Sequence, residues 1–106
     1  SAGHLKFLHQ LKTLKGFNIV AINSDQSITM QKGQPPLLNE RERALLLSAI
    51  EAVDRVVIFN EQDASSLIRS IRPQTVVKGE HFRKKKLPEK DAIIETGAKL
   101  EYFPEY

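Results

Sequence analysis

Two residues near the start of the chain have the types and placement to hold a phosphate. Gly3 and His4 come just before and at the start of a run in which Leu5, Leu8, Leu11 and Leu14 recur at three-residue spacing, with Phe7 beside them and lysines opposite. That spacing predicts one apolar stripe on a helix. The pair then stands at a helix amino terminus, where free backbone amides and the helix dipole both favour an anion. Gly3 lets a phosphate approach the backbone closely. His4, in the first turn, donates a hydrogen bond to the same anion, more strongly when protonated. The competing reading is a helix-start histidine bound only to water. His9 cannot share the task, because five residues beyond His4 it lies well around the helix.

Such a site needs elements to position it. Gly16 is a natural stop for the opening helix. "FNIVAIN" (17–23) is an apolar run too short for a helix and reads as a strand buried on both faces. Residues 24–38, with Gly33 and Pro35-Pro36, read as a long loop of mixed polarity, mobile or functional. Asn39 caps the next helix, with Glu42 three residues on as a variant of the capping box. Ala44 to Val53 mark that helix as strongly buried. "RVVIF" (55–59) is a second strand, and Asp63 caps a short helix through Ile71, with Pro73 after it. "QTVVKG" (74–79) is a third strand, and residues 80–88 form a basic loop. Pro88 suits the first turn of a helix to about Thr96, with Gly97 beyond it. "KLEYF" (99–103) is a last strand, nearer an edge.

Alternating helices and strands predict an α/β fold: a Rossmann-like, doubly wound parallel sheet with right-handed crossovers. A chain that opens on a helix is expected to lack the strand that leads into it. Ligands in such sheets bind beyond the carboxyl ends of the strands. The candidate segments are therefore Asn23-Ser24-Asp25, Phe59-Asn60 and Lys78-Gly79-Glu80, with the start of each following helix.

Composition narrows the function. The 106 residues suit one small domain, and 41% apolar with 27% charged residues argue against disorder. Sixteen Lys and Arg against thirteen Asp and Glu leave a net charge of +3, which suits anionic small ligands but does not by itself point to nucleic acid. There is no cysteine, so a disulfide framework and a thiolate metal site are excluded. No apolar run approaches the roughly 18 residues of a membrane span, and the amino terminus has no signal-peptide pattern. A cytoplasmic protein is the expectation. The run Arg83 to Lys86 reads as a solvated, mobile loop, with gating or anion attraction as the alternative. No aromatic residues interleave it beyond Phe82, which gives nucleic acid no stacking platform.

Taken together, "GHLKFL", "VAINSD", "ERERALLLSAIEAVDRVVIF" and "VVKGEHF" resemble the cytidylyltransferase-like nucleotidyltransferase superfamily, and within it the heptose-1-phosphate adenylyltransferases. The resemblance runs from Gly3 to about Phe103. It implies a reaction in which a phosphate oxygen of an acceptor attacks the α-phosphorus of ATP or CTP and pyrophosphate leaves. The implied acceptor is a sugar 1-phosphate, as in ADP-heptose synthesis for lipopolysaccharide. Mg²⁺ would accompany the nucleotide, held chiefly by phosphates with no protein metal site. The family signature His-x-Gly-His matches Gly3 and His4 in its second half, with Ser1 in place of the first histidine. A Ser-Thr-Thr-type motif follows the family's last strand, whereas this sequence stops at Tyr106. The expectation is thus a single nucleotidyltransferase domain over residues 1–106, truncated at both ends and inactive or nearly so by itself. Homodimers are common in the family.

The resemblance also assigns roles. His4 would contact the α- or β-phosphate and stabilise the leaving group. Lys32 falls where the family has a phosphate-binding loop lysine, although Gln34-Pro35-Pro36 replaces the usual Arg-Pro. Arg43 matches the arginine of the family's Glu-Arg element, reaching the triphosphate or locking the site, with Arg41 its local competitor. Asn23 or Asp25 would touch the acceptor or a metal-bound water, unless Asp25 only caps the turn. Gly79 would let the nucleotide pack on the backbone, and Lys78 would offer charge to the acceptor phosphate. Glu80 shares the nucleotide-binding segment, but Glu80 and His81 depart from the family's glycine and aspartate. Two rival functions remain: a cytidylyltransferase acting on a polyol or amino-alcohol phosphate, and a non-catalytic nucleotide-binding domain.

Overall fold

The computed structural model describes residues 10–14 and 16–104. Gly3, His4 and His9 lie outside the described residues. The chain forms two compact units. One is Leu11–Gln62; of the other, residues 10 and 63–104 are described.

In Leu11–Gln62, strands β1 (Ile19–Asn23) and β2 (Arg55–Phe59) pair in parallel, Ile19 abreast of Arg55 and Asn23 abreast of Phe59. Asn18 fixes the entry to both strands. Its side-chain amide donates to the carbonyls of Leu11 and Ala52, at 3.3 and 3.1 Å, and its own amide donates to Asp54 Oδ2 at 2.7 Å. A short 3₁₀ turn, Leu11–Thr13, precedes β1 and buries Leu11; Gly16, at φ 110°, turns the chain where the sequence predicted a stop.

Three expectations fail in this unit. The first half of the presumed loop is a helix, α1 (Asp25–Lys32). It has no apolar stripe to announce it, and its caps define it instead. Ser24, extended at φ −64° and ψ 163°, accepts from the Ser27 amide, and Gly33, left-handed at φ 79°, returns its amide to the Thr29 carbonyl. Helix α2 (Glu40–Ser48) starts as predicted, with the reciprocal Asn39–Glu42 capping box. It is shorter than the apolar run, however, and none of its residues is buried; Leu45 is 72% and Leu46 60% exposed. The core contribution comes instead from Ala52 and Val53, in the turn beyond it. A two-stranded sheet with two short helices covers its strands only in part, so Ala21 and Ile58 are open to solvent rather than buried on both faces.

The other unit holds α3 (Ser65–Ile71), β3 (Thr75–Gly79), α4 (Lys90–Thr96) and β4 (Lys99–Phe103). Strands β3 and β4 are parallel, Thr75 abreast of Lys99 and Gly79 abreast of Phe103, and α4 lies in the crossover such a pair requires. Ile68, Leu87, Ala92 and Ile93 form the core, with Val76, Phe82 and Leu100 against it. Helix α3 ends at Arg72, held left-handed at φ 53° just before Pro73, where continued helix is disfavoured. Asp63 acts one residue further out than a cap: Oδ1 accepts from the Ser65 amide at 2.8 Å. Hydrogen bonds from the Ser65 hydroxyl and amide, then the charges of Lys78 and Arg69, hold the Asp63 carboxyl below the usual aspartate range. Pro88 precedes α4 rather than opening it, and the basic loop begins with a 3₁₀ turn, Glu80–Phe82. The architecture is α/β with parallel strands. Among the described residues no helix is long and apolar enough to cross a membrane.

Ser24→Ala removes a buried cap and is expected to cost about 1 kcal/mol in urea unfolding; a change within error would show that α1 does not depend on it. Asp63→Asn keeps an acceptor for Ser65 but removes the charge. A depressed folded pKa adds stability above the unfolded value, about 3.9, and loses it as pH falls. The variant should therefore be less stable at pH 7, by under about 1 kcal/mol at so open a site, and indistinguishable from wild type near pH 2.

Candidate functional site

The carboxyl end of β1 passes straight into α1. There Asn23 Nδ2 donates to Ser27 Oγ at 3.1 Å, and Ser27 Oγ donates to the Glu61 carbonyl at 3.0 Å. Ser24, only 1% exposed, donates its amide to the Phe59 carbonyl at 2.8 Å, so the cap is tied to the end of β2. This answers the question left open for Asp25: Ser24 is the cap. Asp25 instead accepts from Arg43 Nη2 at Oδ1, 2.9 Å away, and donates its amide to Glu40 Oε1 at 3.0 Å. Arg43 also donates from Nε to the Leu38 carbonyl at 3.2 Å. One guanidinium thus joins the start of α1, the segment before α2 and α2 itself.

The structure therefore brings together Asn23, Asp25 and Arg43 but not Lys32. Lys32 is the last residue of α1, exposed, and about 10 Å along the helix from Asp25. It sits at a helix carboxyl end, where a cation is favoured by the dipole, rather than in a loop. Glu40 was not anticipated; its only signal was an acid in the first turn of a capped helix.

The carboxyl end of β3 carries the second group. Lys78 Nζ lies 3.0 Å from Glu89 Oε1 and 5.2 Å from the Phe82 ring. Glu89 is buried, and its Oε2 accepts from the Ala64 amide at 3.0 Å. Gly79 is buried at φ −68°, an ordinary extended conformation, so no left-handed turn requires glycine there. Glu80 is paired: Arg83 donates from Nε and Nη2 to its two oxygens at 2.9 and 3.0 Å, and the Arg83 guanidinium lies 4.6 Å over the Tyr102 ring. The His81 ring lies against Phe82 at a tilt of 38°, with 4.0 Å between ring centroids. Glu89 is the functional candidate that sequence reading missed. A glutamate after Pro88 reads as an ordinary helix start, and its partner is eleven residues away on a strand.

Each group presents a cation already engaged by a carboxylate. Such pairs fix geometry more than they add net charge. Arg43→Lys keeps the charge but loses the fork that serves Asp25 and Leu38 together. It is expected to lower stability by about 1 kcal/mol in urea unfolding, and an unchanged midpoint would show that the clasp carries no load.

The chain is 37% identical over 100 residues to the bifunctional protein HldE of Geotalea uraniireducens, covering 93% of this chain and 20% of that protein. It is 40% identical over 96 residues to the HldE of Wolinella succinogenes, covering 90% and 20%. The chain thus spans about a fifth of the length of these curated relatives. The solved lipopolysaccharide core biosynthesis protein from Thermoplasma volcanium superposes with a TM-score of 0.78 over 100% of this chain and 88% of its own; at 22% identity the likeness speaks to fold alone. Residues 1–98 match the family described as Cytidylyltransferase-like, and the chain belongs to that family.

Proposed function

We propose that this chain carries nucleotidyl transfer: a phosphate oxygen of a sugar 1-phosphate attacks the α-phosphorus of ATP, the bond to the β-phosphate oxygen breaks, and pyrophosphate leaves. The observation that supports it is the family match over residues 1–98, which takes in Gly3-His4 and both strand-end groups. Similarity to HldE proteins favours an adenylyl donor and a heptose-type acceptor serving lipopolysaccharide synthesis.

In this reading the chain works by alignment and charge neutralisation, since displacement at phosphorus needs no protein nucleophile. Gly3 and His4 receive the triphosphate, and His4 donates to the oxygen that becomes pyrophosphate. Arg43, with Asp25, keeps the amino ends of α1 and α2 in register beside the nucleotide. Lys32 contacts phosphate, Asn23 and Lys78 face the acceptor, and Gly79 with Glu80 bounds the nucleotide. A Mg²⁺ bound with the nucleotide would supply charge neutralisation of the phosphates. Asp25 and Glu40 are already engaged by Arg43 and by the Asp25 amide, so such an ion would be held chiefly by phosphate oxygens.

A second reading, nucleotide binding without transfer, is favoured by Ser1 standing where the family signature has its first histidine. A hydroxyl cannot become cationic beside the phosphates. The test is pyrophosphate release by the natural full-length protein given heptose 1-phosphate with ATP or with CTP, beside calorimetry of each nucleotide. Release with ATP is expected, and His4→Ala is expected to lower turnover about 10²- to 10³-fold. Release with CTP alone would overturn the adenylyl assignment, binding without release would support the second reading, and full turnover in the His4 variant would refute the phosphate site.

A further inference from the structure

Glu89 is 5% exposed, and it immediately precedes α4 without capping it. A buried carboxylate costs several kcal/mol unless its oxygens are served, and a buried ion pair is often no more stabilising than apolar residues of the same volume. Stability alone is therefore a weak reason for it to be there. Its two oxygens are used differently. Oε2 takes the Ala64 amide at 3.0 Å, which anchors the side chain to the start of α3. Oε1 lies 3.0 Å from Lys78 Nζ in ionic contact, yet it accepts no aligned hydrogen bond.

Lys78 is the more open partner, its side chain 23% exposed against 6% for Glu89. Phe82 flanks the ammonium at 5.2 Å, and Asp63 adds a further negative charge nearby. Lys78 is thus held by a buried acid while its side chain stays partly exposed, at the carboxyl end of β3, where parallel α/β sheets receive ligands. An ammonium has three donors, and one acidic partner leaves others for a ligand oxygen. The same logic lets protein kinases set a strand lysine against phosphates by pairing it with a helix glutamate.

We propose that Glu89 is a positioning residue: by gripping Lys78 from the buried side and the Ala64 amide with its other oxygen, it fixes where the ammonium meets the acceptor's phosphate. The proposal rests on the nucleotidyltransferase reading above, and the experiment separates the two. In the natural full-length protein, pyrophosphate release is followed against heptose 1-phosphate and ATP separately. Glu89→Gln keeps the size and an acceptor for Ala64 but drops the charge. It is expected to raise the acceptor KM at least ten-fold and leave the ATP KM within two-fold. Glu89→Asp should recover part of the loss. Lys78→Met should raise the acceptor KM to a similar degree, and adding Glu89→Gln to it should cost nothing more, because both act through one contact. An unchanged acceptor KM in Glu89→Gln, or equal losses for both substrates, overturns the proposal. If Glu89→Gln does not fold, Lys78→Met decides: a ten-fold rise supports the proposal and an unchanged KM overturns it. If wild type releases no pyrophosphate, the transferase reading fails by itself. Acetylation of Lys78 by acetic anhydride, read by mass spectrometry, then decides the present point. Protection by heptose 1-phosphate that is lost in Glu89→Gln and partly kept in Glu89→Asp supports it, and protection unaltered in Glu89→Gln, or absent from wild type, overturns it.

Discussion

Parallel pairing sets the terms for everything else in this chain. Two strands that run the same way end on the same side, so Asn23 finishes abreast of Phe59 and Gly79 abreast of Phe103. Every chain segment leaving such an edge must satisfy freed backbone groups at once. At β1 the solution is a buried serine that caps α1 and bonds back to β2. At β3 it is a 3₁₀ turn that starts on Gly79. Within each unit the strand end is thereby held by hydrogen bonds to its own neighbours.

Charge follows from the same constraint. The cations at both edges are long, flexible side chains, and an unpaired lysine or arginine would sample many positions. Asp25 and the Leu38 carbonyl together claim two separate donors of Arg43, which converts a mobile arginine into a strut between helices. Glu89 does the equivalent for Lys78 with one ionic contact. The first pair is partly exposed, at 20% and 35%, and contributes modestly to stability. The second is buried on its acidic side, where water screens less and geometry matters more.

How much of this could be read in advance depended on whether the signal was local. The capping box at Asn39–Glu42, the strand Arg55–Phe59 and the Gly97 stop are each written within a few adjacent residues, and they stand as read. Helix α1 was not legible, because polar residues between a serine and a glycine carry no period to detect; only the caps distinguish it from a loop. The exposure of Leu45 and Leu46 was not legible either, since apolar character reports a tendency to be covered and not what does the covering. The site divides the same way. Strand-end positions followed from the fold class, so Asn23, Asp25, Lys78 and Glu80 could be named. Their partners lie 18 residues away for Asp25 and 11 for Lys78, beyond any local pattern.

The departure at Glu80 shows how such partners keep a substituted site self-consistent. Where the family resemblance expects a second glycine, this chain has an acid. Three residues on, Arg83 takes both of its oxygens and lays its guanidinium over Tyr102 of β4. The fork neutralises the acid locally and ties the turn after β3 to the neighbouring strand. The basic residues that follow, Lys84 to Lys86, are exposed, so the loop stays attractive to anions while the acid is silenced. The acid at Glu80 is thus met by a cation three residues on, in the same turn.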